Sequence, residues 1–197
     1  SAAVKESQFT VACDVDTPFC GPEGAAPVFA PQKGADAEMV KRLDEGMASF
    51  AKVITEKYAI DIVPVAGAGA AGGMGGAFRA FLGATLKKGI DMVLDAIDFD
   101  TTIQGANLVI TGEGKVDFQT AKGKTAAGVL NRAKQQHIPV VAIGGCVEMC
   151  DSLVQMGFAG IYPILEEKVP LEIAMQRDFA MNNVRKTVAR IVPNYLG

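Results

Sequence analysis

Apolar residues change their spacing along this chain, and each change marks an element. "FTVACDV", Phe9 to Val15, reads as a short strand and runs into turn chemistry at Pro18, Gly21, Pro22 and Gly24. "APVFAPQKGAD" is expected to hold a short strand around Val28 and Phe29 before turning at Pro31 to Gly34. Asp36 is placed to cap the next helix. There Met39, Val40, Leu43, Met47, Phe50, Val53 and Ile54 recur at spacings of three and four, one apolar stripe ending near Tyr58. Gly46 weakens that helix by about 1 kcal/mol relative to Ala. Next, "VPVAGAGAAGGMGGAFRAFLGA" predicts a loop at the start of the Gly67 to Gly76 region, then a helix carrying Phe78, Phe81 and Leu82. "IDMVLDAIDF" fits either a strand or a helix.

The second half is more regular. "ANLVIT" predicts a strand, Ala126 to Gln136 a helix, and "IPVVAIGG" a buried strand. Cys150 to Met156 follows as a short helix, "AGIYPI" as a strand, and Pro170 to Ile191 as one long helix. Three strand–helix pairs in succession argue for an α/β fold, a parallel sheet covered by helices. Ligands on such sheets sit beyond the carboxyl ends of the strands. Gly112 to Thr125 and Gly144 to Val147 both follow such ends. Three clear strands make a thin sheet, so an incomplete sheet, with N-terminal material missing, is expected.

Totals narrow the function classes. The chain has 197 residues, 49% of them hydrophobic, ample for a core. Its formal charge is -3, from 19 basic and 22 acidic residues, with no basic block longer than two. Nucleic acid is therefore not the expected partner. No apolar run reaches the length of a membrane span, and no signal-peptide core opens the chain. Cys146 and Cys150 are four apart, and the single His137 has no ligand-like spacing to any of the four cysteines. A zinc site is not expected; four free thiols fit a cytoplasmic protein.

Three polar or glycine-rich stretches could carry chemistry. "ITGEGKVDFQTAKGKT", Ile110 to Thr125, ends like a phosphate-binding loop, but Phe118 stands where that motif needs its first glycine. Glu113 and Asp117, four apart in a loop, could hold Mg2+ or accept a proton from a hydroxyl. Thr120 and Thr125 could donate to phosphate or cap a helix, and Lys124 could neutralise a phosphate. Gly67, Gly69 and Gly72 satisfy GxGxxG, with Asp91 roughly twenty positions on, yet Pro64 interrupts the strand such a fingerprint needs. With Gly73 they are read as a loop that cradles an anion or brings backbone to a ligand, tight helix packing being the alternative. Asp14 and Asp16 could form a paired-acid site, and Lys33 beside Gln32 a polar tip.

The stretches "VACDVDTPFCGPEGAAPVFAPQKGA", "GAGAAGGMGGAFRAFLGA", "LVITGEGKVDFQTAKGKT" and "PVVAIGG" together resemble the bacterial glycerate kinase family. Their order and spacing resemble it as well, over nearly the whole chain. The opening segments of the family pattern do not occur, so the resemblance implies the C-terminal half only, with the missing N-terminal half as partner. It implies part of a second α/β domain with the glycine-rich loop over 1–84, and the C-terminal part of a Rossmann-like domain over 85–197. It further implies ATP and Mg2+ as cofactors, D-glycerate as substrate, 2-phosphoglycerate or its 3-phosphate isomer as product, and a homodimer as a further assembly to consider. Under it, Asp14, Asp117 and Glu113 are the catalytic candidates, the last two also for the metal. Gly67, Gly69, Gly72, Gly73, Lys124 and Thr125 are assigned to the nucleotide; Lys33, Gln119 and Thr120 to the substrate. A small sugar-acid-binding module, or a structural piece without phosphoryl transfer, is the alternative.

Overall fold

The structure is a computed structural model that describes residues 2–121, 123, 125–167 and 169–195. The chain divides into two compact units, residues 1–92 and 93–197.

Unit 1 contains α1 (Ala2–Glu6), β1 (Thr10–Ala12), α2 (Ala25–Phe29), α3 (Ala37–Tyr58), α4 (Ala70–Leu82) and β2 (Thr85–Lys87). Helix α5 (Gly89–Ala96) runs across the division. β1 and β2 pair in parallel, Thr10 opposite Thr85. Asp36 caps α3 by accepting from the Met39 amide at 2.8 Å. The core of this unit joins Phe19, Ala51, Ile54, Ile62, Ala68 and Ala80, with Met47 packed against it. So α3 buries the Met47, Ala51 and Ile54 side of its surface. Met39, Leu43, Phe50 and Val53 of the predicted stripe face solvent.

One expectation is corrected here, and one reading left open between strand and helix is decided. Val28 and Phe29 belong not to a strand but to α2, a short helix that packs against α3 and α4. "IDMVLDAIDF" is helical, shared between α5 and α6 (Phe99–Thr102). Strand β2 has no counterpart in the sequence reading; its three residues are too few for an alternation to register.

Unit 2 continues with β3 (Val109–Val116), α7 (Phe118–Ala121), α8 (Thr125–Gln135), β4 (Val140–Val147), α9 (Asp151–Met156), β5 (Gly160–Pro163), α10 (Leu171–Ala174) and α11 (Arg177–Ile191). The sheet order is β3-β4-β5, all parallel. Val140, Val141 and Ala142 are at most 1% exposed, so the central strand is covered on both faces. One layer of cover comes from α8, whose Ala126, Leu130 and Ala133 are equally buried. The other strand pair builds its own small parallel sheet in unit 1. The expected single incomplete sheet is corrected to two parallel sheets, one in each unit.

The long final helix is divided at Met175 and Gln176 into α10 and α11. Arg132 of α8 fastens that helix to the preceding segment. Its Nε donates to both oxygens of Asp100 at 2.9 and 3.1 Å, and Nη1 to Asp95 at 2.9 Å.

Candidate functional site

β3 runs five residues further than its apolar pattern. Glu113 and Lys115 are strand residues, not loop residues, and Asp117 follows immediately. A strand turns alternate side chains to one face, so Glu113, Lys115 and Asp117 line up at the carboxyl end of β3. The strand persists here because Gly112 lies against Ile143 of β4: a Cβ at Gly112 would be 3.1 Å from its Cγ1.

Glu113 acts on the chain around it. Its Oε2 accepts from the Thr120 hydroxyl at 2.7 Å, and its Oε1 from the Ala126 amide at 3.1 Å. Ala126 lies in the first turn of α8, where amides lack helical partners, so a strand carboxylate supplies the cap. Thr120 is fully buried and also accepts from the Asp117 amide at 3.2 Å. One carboxylate and one hydroxyl thus pin both ends of the turn from Asp117 to Ala126.

The Asp117 side chain is only 11% exposed. A buried carboxylate needs donors. Asp117 has the Gln119 amide on Oδ1 at 2.8 Å and the Lys115 ammonium near Oδ2 at 3.4 Å. Lys115 also reaches Glu148 Oε2 at 2.9 Å. That second carboxylate is brought across by register: Val116 pairs with Val147, and the Glu148 amide donates to the Val116 carbonyl at 2.9 Å. Glu148, then Asp117, raise the Lys115 pKa above the ordinary lysine range, so the ammonium is held charged.

Gln119 is exposed on α7, and Thr125 is exposed as the first residue of α8. Lys124 lies outside the described residues. A cleft of about 390 Å3 opens past the end of β5, lined by Ile164, Glu166, Phe179, Asn183, Lys186 and Arg190. Neither Lys115, Glu148 nor this cleft was singled out from the sequence. Continuing the alternation past Thr111 would have found the first.

In unit 1, Asp14 Oδ1 accepts from the Gly89 amide at the start of α5 at 2.8 Å. Asp16 Oδ2 lies 3.6 Å from Lys88 Nζ. The glycine loop sits beside Asp14 through Cys13, whose thiol donates to the Gly67 carbonyl at 3.8 Å. Most of these glycines face protein. A Cβ at Gly67 would be 2.6 Å from Cys13 Sγ, at Gly69 2.1 Å from the Pro18 carbonyl oxygen, and at Gly73 2.9 Å from the Phe19 ring. Gly72, with a φ of +74°, has open space around it. Lys33 ends an exposed 3-10 turn, Pro31–Lys33. Asp14, Lys33 and the glycines therefore belong to unit 1, whereas Glu113, Asp117, Gln119, Thr120 and Thr125 belong to unit 2. Among the described residues, no group of three or more His, Cys, Asp or Glu is placed to hold a metal ion, and no helix is long and apolar enough to cross a membrane.

Known proteins match along this whole stretch. The family model described as "Glycerate kinase family" matches residues 1–195. The glycerate kinase of Bacillus cereus is 45% identical over 189 residues, which is 95% of this chain and 49% of that protein. The glycerate 2-kinase of Escherichia coli is 40% identical over 94% of this chain and 50% of its own length. A crystal structure of a putative glycerate kinase 2 from Salmonella typhimurium superposes with a TM-score of 0.72 at 37% identity, over 98% of this chain and 50% of that one. The chain spans about half the length of the curated relatives it matches. The expectation of a match confined to a C-terminal part gives way to what is found: the family model matches residues 1–195, and the structural likeness covers 98% of this chain, both units included. The chain belongs to the glycerate kinase family.

Proposed function

We propose that this chain serves the ATP-dependent phosphorylation of D-glycerate, giving 2-phosphoglycerate, with the turn after β3 as its chemical centre. The observation that carries the reading is Asp117: a nearly buried carboxylate at the carboxyl end of a parallel strand, fixed by a backbone amide and paired with a lysine. The naming of the Escherichia coli relative as a 2-kinase supports the 2-phosphate over its isomer.

Phosphoryl transfer needs alignment of the acceptor hydroxyl and compensation of charge on the moving group. Asp117 is the residue assigned to orient that hydroxyl and take its proton. Asp14 is the second candidate, within unit 1. Glu113 and Thr120 already satisfy each other and the start of α8, so their part is to hold Asp117 in place. Gln119, exposed on α7, is assigned to glycerate, as is Lys33 of unit 1; Lys124 and Thr125 are assigned to the nucleotide. Of the glycines, Gly72 has the space for a ligand to approach its backbone; Gly67, Gly69 and Gly73 shape the loop that presents it.

The donor set fits Mg2+ held mainly by phosphate oxygens and water, with Asp117 as the protein ligand, because Mg2+ commonly takes only one or two carboxylates. Bound there, the ion offsets negative charge on the phosphoryl oxygens. The test is ADP release in the presence of Mg2+, ATP and D-glycerate, with the product isomer identified by 31P NMR. Asp117→Asn is expected to lower kcat at least about a hundredfold with an unchanged circular dichroism spectrum. An unchanged kcat sinks the role given to Asp117. ATP hydrolysis that ignores glycerate sinks the substrate.

A further inference from the structure

Lys115 has two carboxylate partners of unequal standing. Asp117 is 11% exposed and tied to the Gln119 amide, so it cannot follow the lysine elsewhere. Glu148 is 62% exposed, and no other side-chain bond anchors it among the described residues. Lys115 is itself 48% exposed, at the carboxyl end of β3 where ligands of parallel sheets bind. An exposed ion pair of this kind contributes little, so exchanging Glu148 for another anion is nearly free. The nearby helix start is not a competing anion site, because Glu113 already occupies the Ala126 amide.

From this asymmetry we propose that Lys115 is the residue that meets a phosphate-bearing ligand in this site, and that Glu148 is the partner it gives up in doing so. Asp117 keeps its contact with the ammonium while the N–H that Glu148 accepted turns from that surface carboxylate to a phosphate oxygen. Glu148 then works as an electrostatic gate: at rest it holds the charge, and it competes with weakly bound anions. The inference rests on the reading of the β3 turn as a phosphoryl-transfer site, and it extends that reading to two residues not otherwise given a role.

The experiment titrates the purified 197-residue chain with inorganic tripolyphosphate by calorimetry, alongside Lys115→Met, Lys115→Arg and Glu148→Gln. Lys41→Met, on the outer face of α3, controls for net charge, its side chain being 78% exposed. Loss of the Lys115 charge is expected to weaken binding at least about tenfold, as for other hydrogen bonds to charged groups. Lys115→Arg restores most of it, and Glu148→Gln tightens binding by roughly two- to fivefold, the scale of an exposed ion pair. The opposite signs separate a gate from a structural salt bridge, which would weaken equally from either side. Equal binding by wild type and Lys115→Met, weaker binding by Glu148→Gln, or no binding by the wild type overturns the proposal. If Lys115→Met fails to fold, the sign of the Glu148→Gln change decides alone. Glycerate-dependent ADP formation is followed in parallel. Tripolyphosphate binding with the expected signs but no turnover leaves Lys115 in its role and removes the kinase reading; turnover with a KM for ATP indifferent to Lys115 does the reverse.

Discussion

In unit 1 the chain enters α4 through Gly67 to Gly76, a turn and a kinked helix start, by leaving side chains out; in unit 2 side chains tie the end of β3 to the start of α8. The first loop is shaped by backbone pressed on backbone: a Cβ at Gly75 would lie 2.1 Å from the Gly67 carbonyl oxygen. The second is shaped by a carboxylate and a hydroxyl that satisfy the strand end and the helix start together. At Gly69 and Gly75 the first has no give, since added atoms meet carbonyl groups that cannot rotate away. A loop of the second kind can lose a contact and persist, at a cost set by its hydrogen bonds. Rigidity set by close contact and rigidity set by hydrogen bonds are what these constructions offer.

The sharpest break in that contrast is Gly69→Ala. It is expected to destabilise unit 1 by about 3 kcal/mol, the upper range for overpacking. Gly72→Ala, three residues on, loses only about 1 kcal/mol for its left-handed backbone because its surroundings are open. Urea unfolding of both variants tests this; equal losses would show that the close approach to Pro18 is not what fixes the loop. Next comes Glu113→Gln, which keeps the shape but trades an ionised acceptor for a neutral amide. A loss of about 2 kcal/mol is expected, and a largely redundant effect with Thr120→Val in the double variant, since both remove one bridge. Additive losses would mean the two residues act separately.

A smaller effect is read against pH. Arg132 holds the Asp100 pKa below its ordinary value, so the pair stabilises the native state at neutral pH. That stabilisation is present above the unfolded carboxylate pKa and disappears as pH falls through the lower folded value. Asp100→Asn is therefore expected to be less stable than wild type at pH 7 but to converge with it below about pH 4 in thermal melts. The smallest expected difference concerns thiols. Burial, then Asp44 and Asp61, push the Cys20 thiol up, whereas Cys146 is exposed. Iodoacetamide at pH 8 labels Cys146 first by mass spectrometry; faster labelling of Cys20 would contradict the burial of its sulfur.

Much of this architecture is legible from residue spacing. The helix α3, its Asp36 cap, and the strands β3, β4 and β5 all follow from period and turn residues. What spacing does not reveal is which part of an apolar stripe meets the core. On α3 it is Ala51 and Ile54 rather than Leu43 or Val53, because Phe19 and Ile62 lie on that side. Nor does it reveal that Gly112 and Gly114 stay in the strand, since glycine reads as a breaker unless its neighbour's position is known. The same error hid the face shared by Glu113, Lys115 and Asp117. Val28 and Phe29 sit in a helix despite their strand preference because α2 as a whole, with Ala25 and Ala26 buried, packs against α3 and α4.

The contact between Gly69 and Pro18 also bears on how this sequence can drift. Every single-nucleotide change in a glycine codon that alters the residue without stopping translation adds at least a Cβ, and here that atom has nowhere to go. Because the obstacle is a backbone carbonyl, no side-chain change at Pro18 removes it, and variation at Gly69 requires the backbone itself to move. The turn can be inherited intact while side chains elsewhere in the chain are exchanged one at a time.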